Sequence, residues 1–315
     1  MESPKLKYFL ALVVLILLNS CQKKEVINVV NPPSAMVGFI KENMPKSQFF
    51  TIDASTLSSI NGAQNTNIAF PSGCLKTPDG RPVYTGKIEI ELKELFTKKD
   101  MLLSGILPTA NNLMLVSGGE IYMRAMLNGV ELGKVDTAEI KVTIPVLDNL
   151  LADTTQMRVF YTEESTLFSS NRAKQWGDPK GNVTRVDSGS NHQYMFFIEK
   201  LHWINCDYFY NEGGAKTIVS AVTQDTSFNI KNTMIILSID GINSMIPLFE
   251  DASHVFTISQ EIPVGKAVTF VAIANKNGQL YAAYSETLIG KNHKQSLTLM
   301  PLTPDQLKAQ LDKLK

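Results

Sequence analysis

The chain has 315 residues, of which 44% are apolar and 19% charged, and its 30 basic and 30 acidic residues cancel. That composition excludes a disordered chain, and the length predicts two domains or three rather than one small core. The neutral balance gives no field toward nucleic acid or an anionic membrane surface, and four histidines with three cysteines leave metal chemistry little to work with.

The first residues differ from the rest. Lys5 and Lys7 form a basic start, and "YFLALVVLILL" (Tyr8 to Leu18) is an unbroken apolar run. It is shorter than the roughly 20 residues that cross a bilayer, so it predicts a signal peptide over residues 1–20 and not a membrane span. The run ends in "LNSC", with Leu18 three residues before Cys21. This resembles the lipobox of bacterial lipoproteins, which implies cleavage before Cys21 and a diacylglycerol-bearing thiol that holds the protein to a membrane. An ordinary secretory signal with a coincidental cysteine is the alternative. Gln22, rather than Asp, follows the cysteine, which points to the outer membrane and leaves its periplasmic or external face open. Residues 21–46 then read as anchor and tether, because "KKEVINVVNPPSAM" holds a Pro-Pro pair and no periodicity that would pack.

Period-two alternation begins after residue 46. In "KIEIELKEL", Ile88, Ile90 and Leu92 share one face, and Glu89, Glu91 and Lys93 share the other. "EIYMRAML" runs into Asn128-Gly129, a strong hairpin signal, and "AEIKVTIPV" alternates again. These runs predict an antiparallel β-sandwich over 47–148. Residues 149–213 read as a β-rich connection whose polar part holds Trp176, Asp178-Pro179 and Lys180-Gly181. A second set of strands, broken at Asp240-Gly241 and Asn277-Gly278, predicts a second sandwich over 214–302. The expected class is therefore all-β: tandem antiparallel, Ig-like sandwiches with a short C-terminal helix. That helix, over 303–315, follows from "TPDQLKAQLDKLK". Thr303 and Gln306 can form a capping box, Pro304 suits the first turn, and Leu307, Leu311 and Leu314 share a face.

Several stretches together resemble uncharacterised bacteroidete-type lipoproteins, whose first domain is similar to the ZU5-like or cartilage-intermediate-layer-like β-sandwich. They are "NTNIAFPSGCLKTPDGRPVYTGKIEIELKEL", "DMLLSGILPT", "LVSGGEIYMRAMLNGVEL", "LHWINCDYF" and "IPVGKAVTFVAI". The matching positions include Gly80, Gly86, Glu94, Gly118-Gly119 and Asn128-Gly129. The resemblance implies an exported β-rich lipoprotein and brings no catalytic residues or cofactor with it.

"LHWINCDYFY" (Leu201 to Tyr210) is the densest run of reactive side chains. On a helix His202 and Cys206 would lie about 6 Å apart. On a strand they lie about 13 Å apart, beyond proton transfer. Its aromatic and β-branched content selects the strand, with Trp203 at the boundary between sandwiches and a turn near Asn205 and Asp207 to end it. A nucleophilic Cys206 would need His192, His254 or His293 from elsewhere. Cys74 and Cys206 are a candidate disulfide outside the cytoplasm, worth roughly 4–5 kcal/mol if formed, or else two separately buried thiols. No CxxC, HExxH, EF-hand or G-x-S-x-G pattern is present. Glu89, Glu91 and Glu94 are the carboxylates a glycosidase reading would draw on, and Tyr84 and Trp176 the aromatics that could stack on a sugar. No metal or cofactor is expected.

The leading expectation is a non-enzymatic, lipid-anchored envelope protein acting in protein or glycan interaction, or in structural support. A glycan- or nutrient-binding accessory lipoprotein is the first alternative, identifiable by aromatics grouped on one face. A hydrolase with a site near 162–192 is the second, and would require His192 to meet an acid and a nucleophile.

Overall fold

A computed structural model describes residues 34–146, 156–162, 176–188, 191–250 and 254–314. The signal segment and Cys21 lie outside them. The fold is all-β, as the alternation predicts.

The first module opens with β1 (Gln48–Asp53), β2 (Ser58–Asn61), β3 (Asn67–Phe70), β4 (Leu75–Lys76), β5 (Lys87–Leu95), β6 (Thr109–Ala110) and β7 (Leu113–Leu127). It continues through β8 (Val130–Lys134), β9 (Lys141–Pro145), β10 (Arg158–Thr162), β11 (Lys180–Asn182), β12 (Thr184–Ser188), β13 (Asn191–Phe197) and β14 (His202–Phe209). One sheet runs β1-β5-β7-β14-β10-β11, with β8 joining β7 to β4 and β6 lying on β7. The facing sheet runs β12-β13-β9-β3-β2. Alternate residues of both meet in one core: Ile88, Ile90 and Leu92 from β5, Val142 and Ile144 from β9, and Tyr194 and Phe196 from β13. At Asn128-Gly129 both residues take positive φ, 50° and 80°, as a type I′ hairpin needs.

Here the observed organisation differs from the expected one. The described residues of 149–213 are not a connection outside the first sandwich. β10 and β14 complete its first sheet beside β7, and β12 and β13 complete the second beside β9. Local alternation shows that a segment is a strand but not which sheet receives it.

The second module contains β15 (Lys216–Thr217), β16 (Ser220–Thr223), β17 (Thr233–Ile239), β18 (Ser244–Glu250), β19 (Phe256–Thr257) and β20 (Ile262–Pro263). β21 (Ala267–Lys276), β22 (Gln279–Leu288), β23 (Lys294–Leu297) and β24 (Met300–Leu302) follow. Its main sheet has the order β23-β16-β19-β18-β17-β21-β22-β24, and β15 pairs with β20. All these pairings are antiparallel except that of β16 with β23. Ile235, Leu237, Ile246, Leu248 and Phe270 point to the second core, which also takes Ile262 and, from the first module, Met114 and Val116.

A third core binds the modules together. The opposite faces of β17, β18 and β21 supply Ile236, Met245, Val271 and Ile273, and the first module supplies Leu95, Leu115, Phe160 and Trp176. Three helices cover it: α1 (Ser34–Asn43), α2 (Lys98–Ser104) and α3 (Pro304–Leu311). α3 has the expected capping box, and Leu307 and Leu311 are fully buried. Each such leucine contributes about 1.5–3 kcal/mol by leaving water. α2 was not anticipated; Thr97 caps it by accepting the Asp100 N–H, and Gly105 closes it in the left-handed conformation at φ 66°. α1 corrects the tether reading. Phe39 and Ile40 are buried in the third core, so the linker ends by residue 33 and the Pro-Pro pair stands just ahead of a helix.

Candidate functional site

β5, β7 and β14 are neighbours, and their register sets Lys93 opposite Tyr122 and Tyr122 opposite Trp203. Ile121, Met123 and Ala125 point into the first core, so Tyr122 and Arg124 stand on the outer face. There the rings of Tyr122 and Trp203 lie 5.0 Å apart, tilted by 53°. His202 also stacks on Tyr122, at 6.2 Å and 11°. Register alone would place His202 inward, beside its partner Met123. Its backbone instead takes φ 75°, which swings the imidazole outward to Glu131 Oε1 at 2.7 Å from Nε2. Positive φ in a non-glycine residue is a strain that surrounding contacts must hold.

One ion pair flanks the rings. Arg124 Nη2 lies 2.6 Å from Glu91 Oε2, and Ser47 Oγ donates to Glu91 Oε1 at 2.5 Å. The Glu91 side chain is 11% exposed and Arg124 37%, against 45% for Glu131 and 38% for His202. Phe49, opposite Glu91 on the edge strand β1, is 60% exposed. The outer face therefore offers half-exposed rings beside a guanidinium and carboxylates. That combination can hold a polar ligand with a flat apolar side, the rings stacking and the charges hydrogen-bonding.

The glutamates of β5 have three different fates. Glu89 is exposed, as alternation predicts. Glu91 is not on a wet face but ion-paired, and Glu94 is 2% exposed. Glu94 Oε1 accepts the Thr66 N–H at 3.0 Å; Oε2 accepts the Gln64 N–H at 2.9 Å and Gln48 Nε2 at 2.8 Å. It thus clamps the β2–β3 hairpin to β5.

Further along the same face, where the first module meets the second, lies a polar cluster. β7 carries one residue more than β14 here: Glu120 pairs with Asn205 and Ser117 with Asp207, so Gly118 and Gly119 together stand against Cys206. This β-bulge turns Ser117 and Glu120, three apart, onto the same face as Asn205 and Asp207. Gly119 has φ 135°, and a Cβ on it would lie 2.2 Å from the Phe96 ring. The Gly119 N–H donates to Ser117 Oγ at 3.1 Å, Ser117 Oγ donates to Asn205 Oδ1 at 3.2 Å, and Asn205 Nδ2 donates to Asp207 Oδ2 at 2.5 Å. Among the described residues, both oxygens of Glu120 and Oδ1 of Asp207 find no hydrogen-bond partner. Burial, and for Glu120 the neighbouring Asp207 as well, push both carboxyls well above the usual range. The chain does not turn at Asn205 and Asp207, as was expected; β14 runs on to Phe209, because the polar residues there serve a bulge.

Cys74 and Cys206 are free thiols, both buried in the first core. Burial raises both pKa values, that of Cys74 to about 11. Trp176 is not a surface aromatic: it is 1% exposed, and its Nε1 donates to Leu107 O at 3.1 Å. Tyr84 is 60% exposed. His192 lies on β13 opposite Asp187, His254 is 2.5 Å from Glu250, and His293 stacks on Phe270. Residues 163–175 and 189–190, nearly half of the expected hydrolase region, fall outside the described residues. Among the described residues no cluster of three or more His, Cys, Asp or Glu is arranged to hold a metal, and no helix is long and apolar enough to cross a membrane.

Sequence reading found Trp203 and His202 but not their partner Tyr122, nor the Arg124–Glu91 pair. Tyr122 and Arg124 alternate with the core residues Ile121, Met123 and Ala125, but it is cross-strand register, invisible in one sequence, that brings β5 and β14 beside them. Comparison with protein-family models gives no match, and comparison with curated proteins gives none either.

Proposed function

We propose that this chain is a non-enzymatic, lipid-anchored envelope protein that binds a protein or glycan partner on the outer face of β5, β7 and β14. The observation that carries the reading is the grouping of Tyr122, Trp203 and His202 on one face beside the Arg124–Glu91 pair. Rings supply contact area, and charges at the rim supply orientation and specificity. A strained His202 held by two contacts adds a preorganised edge. The lipobox cysteine, Cys21, would keep this face near the outer membrane, within reach of envelope polymers and proteins.

Two experiments test the parts separately. Metabolic palmitate labelling is expected in the wild-type chain and lost in Cys21→Ala; label that persists in the variant refutes the anchor. Binding of the chain lacking residues 1–21 to purified envelope fractions is expected to fall about tenfold or more in Tyr122→Ala, the scale of a lost aromatic anchor. Unchanged binding by a folded Tyr122→Ala protein refutes the face. Grouped aromatics on one face favour a glycan over a peptide, and competition by soluble oligosaccharide separates the two.

A further inference from the structure

Glu120 and Asp207 are fully buried at the bulge where the modules meet, and among the described residues three of their four carboxyl oxygens have no hydrogen-bond partner. We propose that they form a proton-holding lock on the seam: with protons on the pair the modules stay clamped, and loss of those protons loosens the contact.

The argument is geometric first. The bulge brings both acids onto the face turned away from Cys206 and the first core. On that face the seam is knitted by short polar contacts. The Ser117 N–H donates to Asn243 O at 2.9 Å, Asn243 Nδ2 donates back to Ser117 O at 3.2 Å, and Ser244 Oγ donates to Leu115 O at 2.7 Å. Ser117 is thus one link in both systems, bound to the second module through its backbone and to the acid cluster through its side chain. A buried carboxylate without donors is expensive, and two adjacent ones repel. A carboxylic acid at the same place is cheap, because it carries its own donor and no charge.

The surroundings supply little relief. Trp176 tempers Glu120, but its N–H goes to Leu107 O; the Gly118 amide, Ser117 and Asn205 temper Asp207 only in part. On β14, Cys206 and Tyr208 both feel Asp207 and bring no positive charge; Tyr194 of β13 feels Cys206 and brings none either. Two cations stand at this boundary. Arg158, opposite Asp207 on β10, donates Nη1 to Met157 O at 2.7 Å. Lys98 on α2 donates to Ser238 Oγ at 2.8 Å and Ile239 O at 2.6 Å, where burial lowers its pKa to about 8 against the pull of Asp240. On β5, Glu94 is bound to the Gln64 and Thr66 amides.

The sign follows from the burial. Folded-state affinity for protons exceeds that of the unfolded chain, whose carboxyls titrate at about 4. The lock is complete in acid and weakens as pH climbs from that value through the raised folded range.

The chain contains two tryptophans, Trp176 and Trp203, and both pack at the third core, so emission reports the seam directly. The test is a titration of the chain lacking residues 1–21 from about pH 5 to pH 9, a span set by where buried acids titrate, following emission and far-ultraviolet circular dichroism together. Wild-type emission should shift to the red as pH rises while the β signal holds, and Glu120→Gln and Asp207→Asn should each reduce or abolish that shift. Superimposable curves for wild type and both variants overturn the lock. Infrared spectra of the wild-type chain keep the proposal testable if a variant fails to fold. A protonated-carboxyl carbonyl band at neutral pH is expected, and its absence overturns the proposal.

Discussion

Gly119 shows how a single residue can hold the arrangement. With φ 135° and the Phe96 ring 2.2 Å from any added Cβ, alanine is excluded twice, by backbone and by contact. Gly119→Ala should therefore destabilise by about 3 kcal/mol or more, read as a lower urea midpoint at unchanged slope. Glu94 holds the β2–β3 hairpin through two backbone amides and Gln48. Glu94→Ala leaves those buried donors unmet and should cost about 2–4 kcal/mol by the same assay. The thiols make a third residue-scale prediction. Burial holds Cys206 and Cys74 well above the ordinary thiol range, Cys74 at about 11, so thiolate is scarce at neutral pH and access is closed. Alkylating reagent should leave both unmodified in the folded protein and label both once denaturant is added. Rapid labelling of the native chain would contradict the packing. Exposed acids run opposite to the seam pair: Lys266 and Tyr210 hold Glu212 below its usual range, so its small contribution is present above about pH 4 and is lost in acid.

Elements were legible where the signal was local. Asn128-Gly129 and Asn277-Gly278 announced their hairpins because positive φ at two successive residues needs such residues. Thr303, Pro304 and Gln306 announced α3 because capping is a contact between residues three apart. Leu307→Ala should remove about 2–5 kcal/mol, since its side chain is fully buried against the third core. Elements whose meaning is non-local were misread or missed. β14 was recognised as a strand, but Asn205 and Asp207 looked like its end because their partners, Ser117 and Glu120, lie about eighty to ninety residues earlier. Glu91 looked solvated until Arg124 was set beside it. α1 looked like linker because its apolar contacts, Phe39 and Ile40, are few and its partners are distant.

At the scale of the molecule, the sequence divides into two alternating stretches, and the structure joins them. The third core takes side chains from both modules, from α2 between β5 and β6, and from helices near each end of the described chain. Two independent sandwiches would unfold separately; a shared apolar core of this kind couples them. A chain cut after residue 148 loses β10 to β14, the strands that pair with β7 in one sheet and with β9 in the other, and should not fold. The open face and the acid lock lie along the same face of the β7–β14 pairing, Glu120 two residues from Tyr122 and Asn205 two from Trp203, so the seam's protonation can reach the strands that present Tyr122 and Trp203.

The central claim is that this face meets a partner in the envelope. The most direct measurement places a photo-crosslinking amino acid at Tyr122 in the intact chain, with a control at Leu288, an exposed position on the second module. Irradiation of whole envelopes should give a discrete adduct from position 122 and not from 288, reduced when Arg124 is changed to alanine. No adduct from 122 above the control, in protein shown to be present and folded, would contradict the account.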